Sequence, residues 1–148
     1  MKNVAATMAI LLAVSLAGCA SGPKFSDAQA TLPPTPESEG RVYFYRTQTM
    51  GAAVQPSIYL NGQAIGTCEP DGVFVKDLAP GRYEAVVGTE VTNKLTFVVV
   101  RGQEKFVKCS ISMGVFVGHP HLELVDPSVA KPEIQSLSLT GFALIQKQ

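Results

Sequence analysis

Charged residues are scarce in this sequence, and neither sign predominates. Asp, Glu, Lys and Arg make up 16% of the 148 residues, and twelve basic residues balance twelve acidic ones. A typical soluble domain has about 25% charged residues, and a domain that binds nucleic acid usually carries a basic excess. The balance therefore argues against nucleic acid as a partner, and the length corresponds to about one domain.

The motifs of common catalytic sites are also missing. The sequence has two histidines and contains no HExxH, CxxC or G-x-S-x-G motif. The glycine-flanked segment 114–118 lacks the lysine of a phosphate-binding loop. We therefore expect neither an enzyme nor a bound cofactor.

The two histidines are the best candidates for metal ligands. His119 and His121 flank Pro120, and on a straight strand they would share one face with Glu123. A protein-bound zinc ion takes three or four protein ligands, so these three residues form at most a weak surface site. We expect the alternative, a polar strand edge without a metal.

The N-terminus has the pattern of an export signal. Lys2 precedes an apolar run at residues 4–16, which is shorter than the ~20 residues that a membrane-spanning helix needs. The run ends in Leu16-Ala17-Gly18-Cys19, which resembles the lipobox of bacterial lipoproteins, whose cysteine carries diacylglycerol and starts the mature chain. We therefore predict a lipoprotein signal peptide at 1–18 and a lipidated Cys19 that holds the protein on a membrane.

The residues after the cysteine indicate the destination and the reach of this anchor. In lipoproteins of enteric bacteria, an aspartate directly after the cysteine favours the inner membrane, whereas here Ala20 and Ser21 follow. The resemblance therefore implies the outer membrane, with the protein facing the periplasm. Residues 19–39 are polar and rich in proline, which predicts a disordered tether. At ~3.1 Å per residue it would hold the domain up to about 60 Å from the bilayer.

Two cysteines remain when Cys19 is taken by lipid. In an oxidising compartment, Cys68 and Cys109 can pair only with each other, and the bond would stabilise the domain by about 4 kcal/mol in the loop-entropy model. Two alternatives stay open. Cys109 lies in an apolar run where an unpaired buried cysteine is common, and either thiol could be a nucleophile beside a histidine.

From residue 40 onward, the chain shows the alternation typical of β-strands. Asn61-Gly62 and Pro80-Gly81 are turn signals flanked by aromatic and β-branched residues, and each predicts a hairpin. The predicted fold is all-β, a small antiparallel β-sandwich of about seven strands over residues 40–148. The expected strands are 41–46, 57–60, 63–66, 73–75, 82–87, 94–100, 105–111 and 121–125.

The last part of the chain allows several interpretations. Asp126-Pro127 ends the strand pattern, and Lys131-Pro132 follows shortly after. A short helix could lie at 128–130 or at 133–137. An additional strand could instead lie at 137–144.

Alternation along the strands predicts the core. The expected core residues are Val42, Phe44, Ile58, Leu60, Tyr83, Ala85, Leu95, Phe97, Val99, Phe106, Leu122 and Leu124. The run Tyr43-Phe44-Tyr45 between Arg41 and Arg46 has a second interpretation as a binding surface, because tyrosine and arginine are enriched at interfaces. Burial in a core strand explains the run equally well.

Several of these segments together resemble a known family. Residues 40–46, 58–66, 72–74 and 78–83 are similar to the uncharacterised lipoprotein family called domain of unknown function 2846. The turns in the middle of this stretch are also similar to those of PEGA and transthyretin-like surface modules. The resemblance covers about residues 40–125. It implies a small lipid-anchored β-sandwich with no established reaction, and it carries over no catalytic residues.

These observations favour a non-enzymatic protein of the bacterial cell envelope. We expect a lipid-anchored interaction or structural module, with the membrane and another envelope protein as its partners. Two alternatives stay open: a periplasmic lipoprotein that binds a small ligand or a metal, and an accessory lipoprotein of a secretion or efflux machine.

Overall fold

The protein is built mainly of β-strands. The structure is a computed structural model that describes residues 20–89, 91–114 and 117–141, so the predicted signal peptide and Cys19 lie outside the described residues. The strands are β1 (Gly40–Arg46), β2 (Ser57–Leu60), β3 (Gln63–Thr67), β4 (Gly72–Leu78), β5 (Gly81–Gly88), β6 (Thr92–Val99), β7 (Glu104–Met113), β8 (Gly118–Val125) and β9 (Ser138–Leu139). The helical segments are α1 (Phe25–Ala28), a 3-10 helix (Gln29–Thr31) and α2 (Pro127–Ile134). Within the described part of the chain, no helix is long and apolar enough to cross a membrane.

The strands form two sheets packed as a sandwich, which confirms the predicted fold class. The five-stranded sheet has the order β8-β7-β1-β4-β9, and the four-stranded sheet has the order β3-β2-β5-β6. The expectation of purely antiparallel pairing is wrong, because β1 runs parallel to β7 and β4 runs parallel to β9. A tight turn forces its two strands to be antiparallel. Strands far apart in sequence, such as β1 and β7, are under no such constraint.

The two predicted turns have different outcomes. Asn61 and Gly62 have φ values of 49° and 84°, and they join β2 to β3 as the predicted hairpin. Pro80-Gly81 also reverses the chain, but this turn connects β4 in one sheet to β5 in the other. The second predicted hairpin is therefore wrong, since a Pro-Gly turn marks a change of direction and does not specify the strand that pairs next.

The main core lies between the sheets and contains most of the predicted core residues. Tyr83 and Leu95 are partly buried against it. Two assignments are wrong: Phe106 packs on the opposite face of the five-stranded sheet, and Leu124 is 46% exposed on the edge strand β8. The predicted residues that are buried in this core are Val42, Phe44, Ile58, Leu60, Ala85, Phe97, Val99 and Leu122.

A second core covers the other face of the five-stranded sheet. Tyr43 and Phe106 stack there with ring centroids 4.8 Å apart, and Phe25 meets Tyr43 edge-on at 5.9 Å. Strand β1 is therefore buried on both faces, and the interpretation of its aromatic run as a binding surface is wrong. The second core consists of Phe25, Ala28, Tyr43, Tyr45, Val73, Phe106, Ala130, Ile134, Leu137 and Leu139.

The segment predicted as a tether is folded onto this second core. Phe25 and Ala28 are both 3% exposed. The backbone is also fixed, because the Ala20 N–H donates to the Pro70 carbonyl oxygen at 3.3 Å and the Leu139 N–H donates to that of Pro23 at 2.8 Å. The tether prediction is wrong for residues 20–32, because two well-placed apolar side chains and a strand-like contact are enough to hold a polar segment.

The C-terminal part contains both a helix and a strand. Asp126 caps α2 by accepting a hydrogen bond from the Ser128 N–H at 2.8 Å. The helix covers the predicted helix at 128–130 and the start of the alternative at 133–137. Strand β9 lies at the start of the predicted 137–144 strand, and residues 142–148 lie outside the described residues. Ala130 and Ile134 of α2 pack into the second core.

Candidate functional site

A disulfide joins the two sheets. Cys68 directly follows β3 of the four-stranded sheet, and Cys109 lies in β7 of the five-stranded sheet. Their Cα atoms are 6.1 Å apart, and the two residues are 2% and 1% exposed. The predicted pairing is confirmed. The alternatives of an unpaired buried cysteine and of a thiol nucleophile are wrong, because neither residue has a free thiol.

A fully buried arginine organises the loops next to this disulfide. Arg46, at the end of β1, is 0% exposed. Its guanidinium donates to backbone carbonyls of the β1–β2 connection and to that of Cys68, and burial lowers its pKa. The accepting carbonyls belong to Gln48, Met50, Val54 and Cys68, at 2.7–3.1 Å. The charge therefore serves to fix residues 47–56 in place.

The predicted histidine strand exists, but it does not gather metal ligands. His119, His121 and Glu123 alternate with the buried Gly118, Pro120 and Leu122 along β8, so they share its other face as predicted. The His121 Nε2 atom lies 3.1 Å from the hydroxyl of Ser112, which is an ordinary polar contact. Among the described residues there is no group of three or more His, Cys, Asp or Glu side chains that could hold a metal ion.

Two triads of tyrosine, glutamate and lysine fasten α2 to the five-stranded sheet. In the Tyr45 triad, the tyrosine hydroxyl donates to Glu133 of α2 at 2.7 Å, and Lys108 of β7 donates to the same carboxylate at 2.8 Å. In the Tyr43 triad, the tyrosine hydroxyl donates to Glu104 of β7 at 3.0 Å, and Lys131 of α2 lies 2.6 Å from that carboxylate. The glutamate comes from the helix in one triad and from the sheet in the other.

Burial and pairing shift the pKa values of the tyrosines and glutamates in these triads. Burial, followed by the neighbouring Glu104, raises the pKa of Tyr43 to about 12, and burial together with Glu133 raises the pKa of Tyr45. Burial alone would raise the pKa of both glutamates. Hydrogen bonds from a lysine and a tyrosine outweigh this effect in each case, so the net pKa of Glu104 and of Glu133 is lowered. At neutral pH both carboxylates are thus charged and paired.

An open groove of about 650 Å³ lies between the proline-rich segment and the five-stranded sheet. Its floor includes a salt bridge in which Arg41 binds both carboxylate oxygens of Asp77, at 2.7 and 2.8 Å, and also donates to the carbonyl of Pro33. The salt bridge pairs the charges of Arg41 and Asp77, and Glu39, Glu69 and Lys76 also line the groove, so it presents both apolar and charged groups. Its other walls include Pro34, Pro36, Thr67, Phe74 and Lys76.

Sequence reasoning missed the residues that organise this structure. No local pattern marks Arg46, because its partners are backbone carbonyls of a loop. The Tyr43 and Tyr45 triads depend on the parallel pairing of β1 with β7 and on the docking of α2, which bring together residues that are far apart in sequence. The one local signal was the aromatic run Tyr43-Phe44-Tyr45, which lies between two arginines in β1.

Comparison with known proteins gives the family. A family model described as a protein of unknown function, DUF2846, matches residues 36–120. The chain belongs to this family. The match contains both cysteines of the disulfide and Arg46, so the anchoring of the loops in this DUF2846 protein lies within the family domain. An uncharacterized protein of Haemophilus influenzae is 28% identical over 133 residues, which are 86% of this chain and 79% of that protein.

The family assignment confirms the resemblance identified from the sequence. It adds no reaction, because the family description names none. The similarity to PEGA and transthyretin-like modules stays a prediction.

Proposed function

We propose that this DUF2846 protein is a lipid-anchored protein of the bacterial cell envelope that acts by binding or structural support rather than by catalysis. The observation that carries the proposal is the Cys68–Cys109 disulfide in a chain with a lipobox. Disulfides persist in exported proteins and are rare in the cytosol. The signal peptide at 1–18 and Cys19 supply a route of export and an anchor.

The position of Ala20 supports the same proposal. This residue directly follows the lipobox cysteine, it is half-buried, and its N–H donates to the carbonyl oxygen of Pro70 at 3.3 Å. Because Ala20 belongs to neither core, a lipid attached one residue before it is compatible with the packing of the domain. Ala20 and Ser21 favour the outer membrane as the destination, with the domain in the periplasm.

The ionisable residues with shifted pKa values have structural partners, which supports a role without catalysis. The tyrosines and glutamates with shifted pKa values belong to the two triads that hold α2, and the cysteines of the domain are oxidised. A shifted pKa can mark a catalytic group, but structural ion pairs shift pKa values as well. The groove offers a surface for another envelope protein.

Fractionation of cells tests the anchor and its destination. We expect the wild-type protein in the outer membrane, Cys19→Ser absent from it, and Ala20→Asp redirected to the inner membrane. Ser21→Ala serves as a matched control that leaves the cysteine and the residue after it unchanged. A Cys19→Ser protein that stays bound to the outer membrane like wild type would contradict the anchor.

Crosslinking in intact cells tests the interaction role. A photoreactive residue in place of Lys76 lies in the groove, whereas one in place of Lys94 lies on the outer face of the four-stranded sheet. We expect a discrete protein adduct from the Lys76 position and none from the Lys94 position. Absence of any adduct from the groove would argue against binding of a protein partner there.

A further inference from the structure

One end of the sandwich carries the residue next to the predicted lipid. Strand β1 ends at Arg46, which lies opposite Gly72 at the start of β4, and β7 runs parallel to β1 towards Met113. The connections 47–56 and 68–71 are therefore at the same end as Met113, and we call it the anchor end. Ala20 is bound there through Pro70.

The loops at the anchor end pack against each other. A Cβ atom added to Gly51 would lie 3.6 Å from the Met113 sulfur, so the β1–β2 connection lies beside the end of β7. The Thr89 hydroxyl donates to the Gly118 carbonyl oxygen at 3.1 Å, which brings the β5–β6 turn to the same place. The anchor end is thus one continuous surface.

This surface presents apolar side chains to the exterior. Met50 and Met113 are each 60% exposed, and Val91 is 42% exposed. The connection 47–56 contains no charged residue, and the described residues of the β7–β8 turn (Met113, Gly114, Val117 and Gly118) are uncharged as well. Glu69 and Asp71 of the 68–71 connection are acidic, so the described residues of this connection offer no basic patch to attract anionic lipid.

The short link to Cys19 limits what can cover this surface. Consecutive Cα atoms are about 3.8 Å apart, so the predicted lipid would be attached only one residue from Ala20. Neighbouring strands are about 4.8 Å apart, so β7 lies roughly 10 Å across the sheet from β4. The register places Met113 four residues, roughly 13 Å, beyond the level of Arg46 and Gly72. A bilayer that holds the lipid would therefore lie on the side of the domain from which the end of β7 projects.

We propose that the anchor end rests on the lipid bilayer, with Met50 and Met113 inserted among the lipid head groups beside the Cys19 lipid. This inference rests on the proposed function and specifies the orientation of the anchored domain. One end of the groove reaches Glu69 at the anchor end, whereas its Lys76 wall and the outer face of the four-stranded sheet lie along the sides of the sandwich and stay accessible to a partner in the periplasm. The inserted side chains are apolar, and the charges beside them are acidic like the lipid, so screening by salt should not weaken the contact.

The absence of tryptophan from the sequence allows a direct test. Met113→Trp places a single fluorescent reporter at the anchor end, and Val100→Trp places one at the opposite end on a residue that is 53% exposed. Each full-length protein is purified from membranes and reconstituted into vesicles of phosphatidylethanolamine and phosphatidylglycerol with brominated acyl chains. The mass of each preparation reports acylation of Cys19.

In the acylated protein, we expect bromine to quench Met113→Trp several-fold more strongly than Val100→Trp, with no loss of quenching in high salt. Met50→Trp provides a second reporter and should behave like Met113→Trp. Equal quenching at both ends of an acylated protein would overturn the orientation and leave the anchor intact. An unacylated Cys19 would refute the proposed function, and it would also refute the proposed orientation of the domain on the bilayer.

Discussion

Reduction of the disulfide should remove a large share of the stability of this domain. The bond closes a loop with a sequence separation of 41 and joins the two sheets. In the loop-entropy model, a loop of this length stabilises the folded state by about 4 kcal/mol. Since the total free energy of unfolding of a domain is about 5–15 kcal/mol, the reduced protein should be only marginally stable.

Urea unfolding followed by circular dichroism measures this difference. The wild-type protein is compared with and without reductant, because both sulfur atoms then stay in place and only the covalent bond changes. The double variant Cys68→Ala/Cys109→Ala should be at least as unstable as the reduced wild type, since it also loses two buried sulfur atoms. Its stability should not respond to reductant, which controls for other effects of the reagent.

Two results would refute this reasoning. A difference between oxidised and reduced protein below about 1 kcal/mol would mean that the crosslink does not restrict the unfolded chain. Two titratable thiols in denatured, unreduced protein would mean that the bond is absent.

Three further predictions concern the buried arginine, the Tyr45 triad and the histidine strand. Arg46→Met should lower the free energy of unfolding by about 3 kcal/mol or more, because it leaves buried carbonyls without donors. The control substitution Arg82→Met, at an exposed arginine, should change this free energy little. Equal effects of the two substitutions in thermal unfolding would contradict the role of Arg46. Glu133→Gln should lower the free energy of unfolding by about 1 kcal/mol at pH 7. Because pairing lowers the pKa of Glu133, its contribution is present above the ordinary glutamate pKa and is lost as the pH falls through the folded-state pKa. The cost should therefore vanish in acid, and a cost independent of pH would argue against the ion pair. His119→Gln/His121→Gln should leave the melting temperature unchanged in metal-free buffer, and stoichiometric zinc in the purified wild type that this variant loses would support a metal site instead.

Strand-forming segments could be predicted because their signals are local. Asn61-Gly62 fixes the β2–β3 hairpin, since both residues adopt the positive φ that a two-residue turn requires. The sequence of β1 also indicates burial on both faces of the strand, which the alternation pattern alone does not show. Its apolar residues stand on both faces, which is typical of a strand covered on both sides, and the structure buries all of β1.

The second core could not be predicted, because it is built from distant segments. Phe25 lies in a polar, proline-rich stretch, and nothing local to it indicates that α2 and β1 will cover it. The parallel pairing of β1 with β7 depends on the path of the chain through the other sheet. That path also determines which residues the tyrosine triads contain.

Only some features of the candidate site could be predicted from the sequence. The cysteine pairing was one of few options for two cysteines in a chain predicted to be exported, although the distance that decides it is a property of the fold. The role of Arg46 was not predictable, because backbone carbonyls have no signature in the sequence. The histidines were found, and the structure brings no further ligand to them within the described residues.

The mass of the N-terminal peptide decides most directly whether this protein is a lipid-anchored envelope protein. The protein is extracted from the membrane fraction of cells that express the full chain, digested, and analysed by mass spectrometry. We predict a peptide that begins at Cys19 and carries a diacylglyceryl group on its sulfur. A membrane-extracted protein with unmodified Cys19, or with residues 1–18 still attached, would contradict the anchor and the function proposed for it.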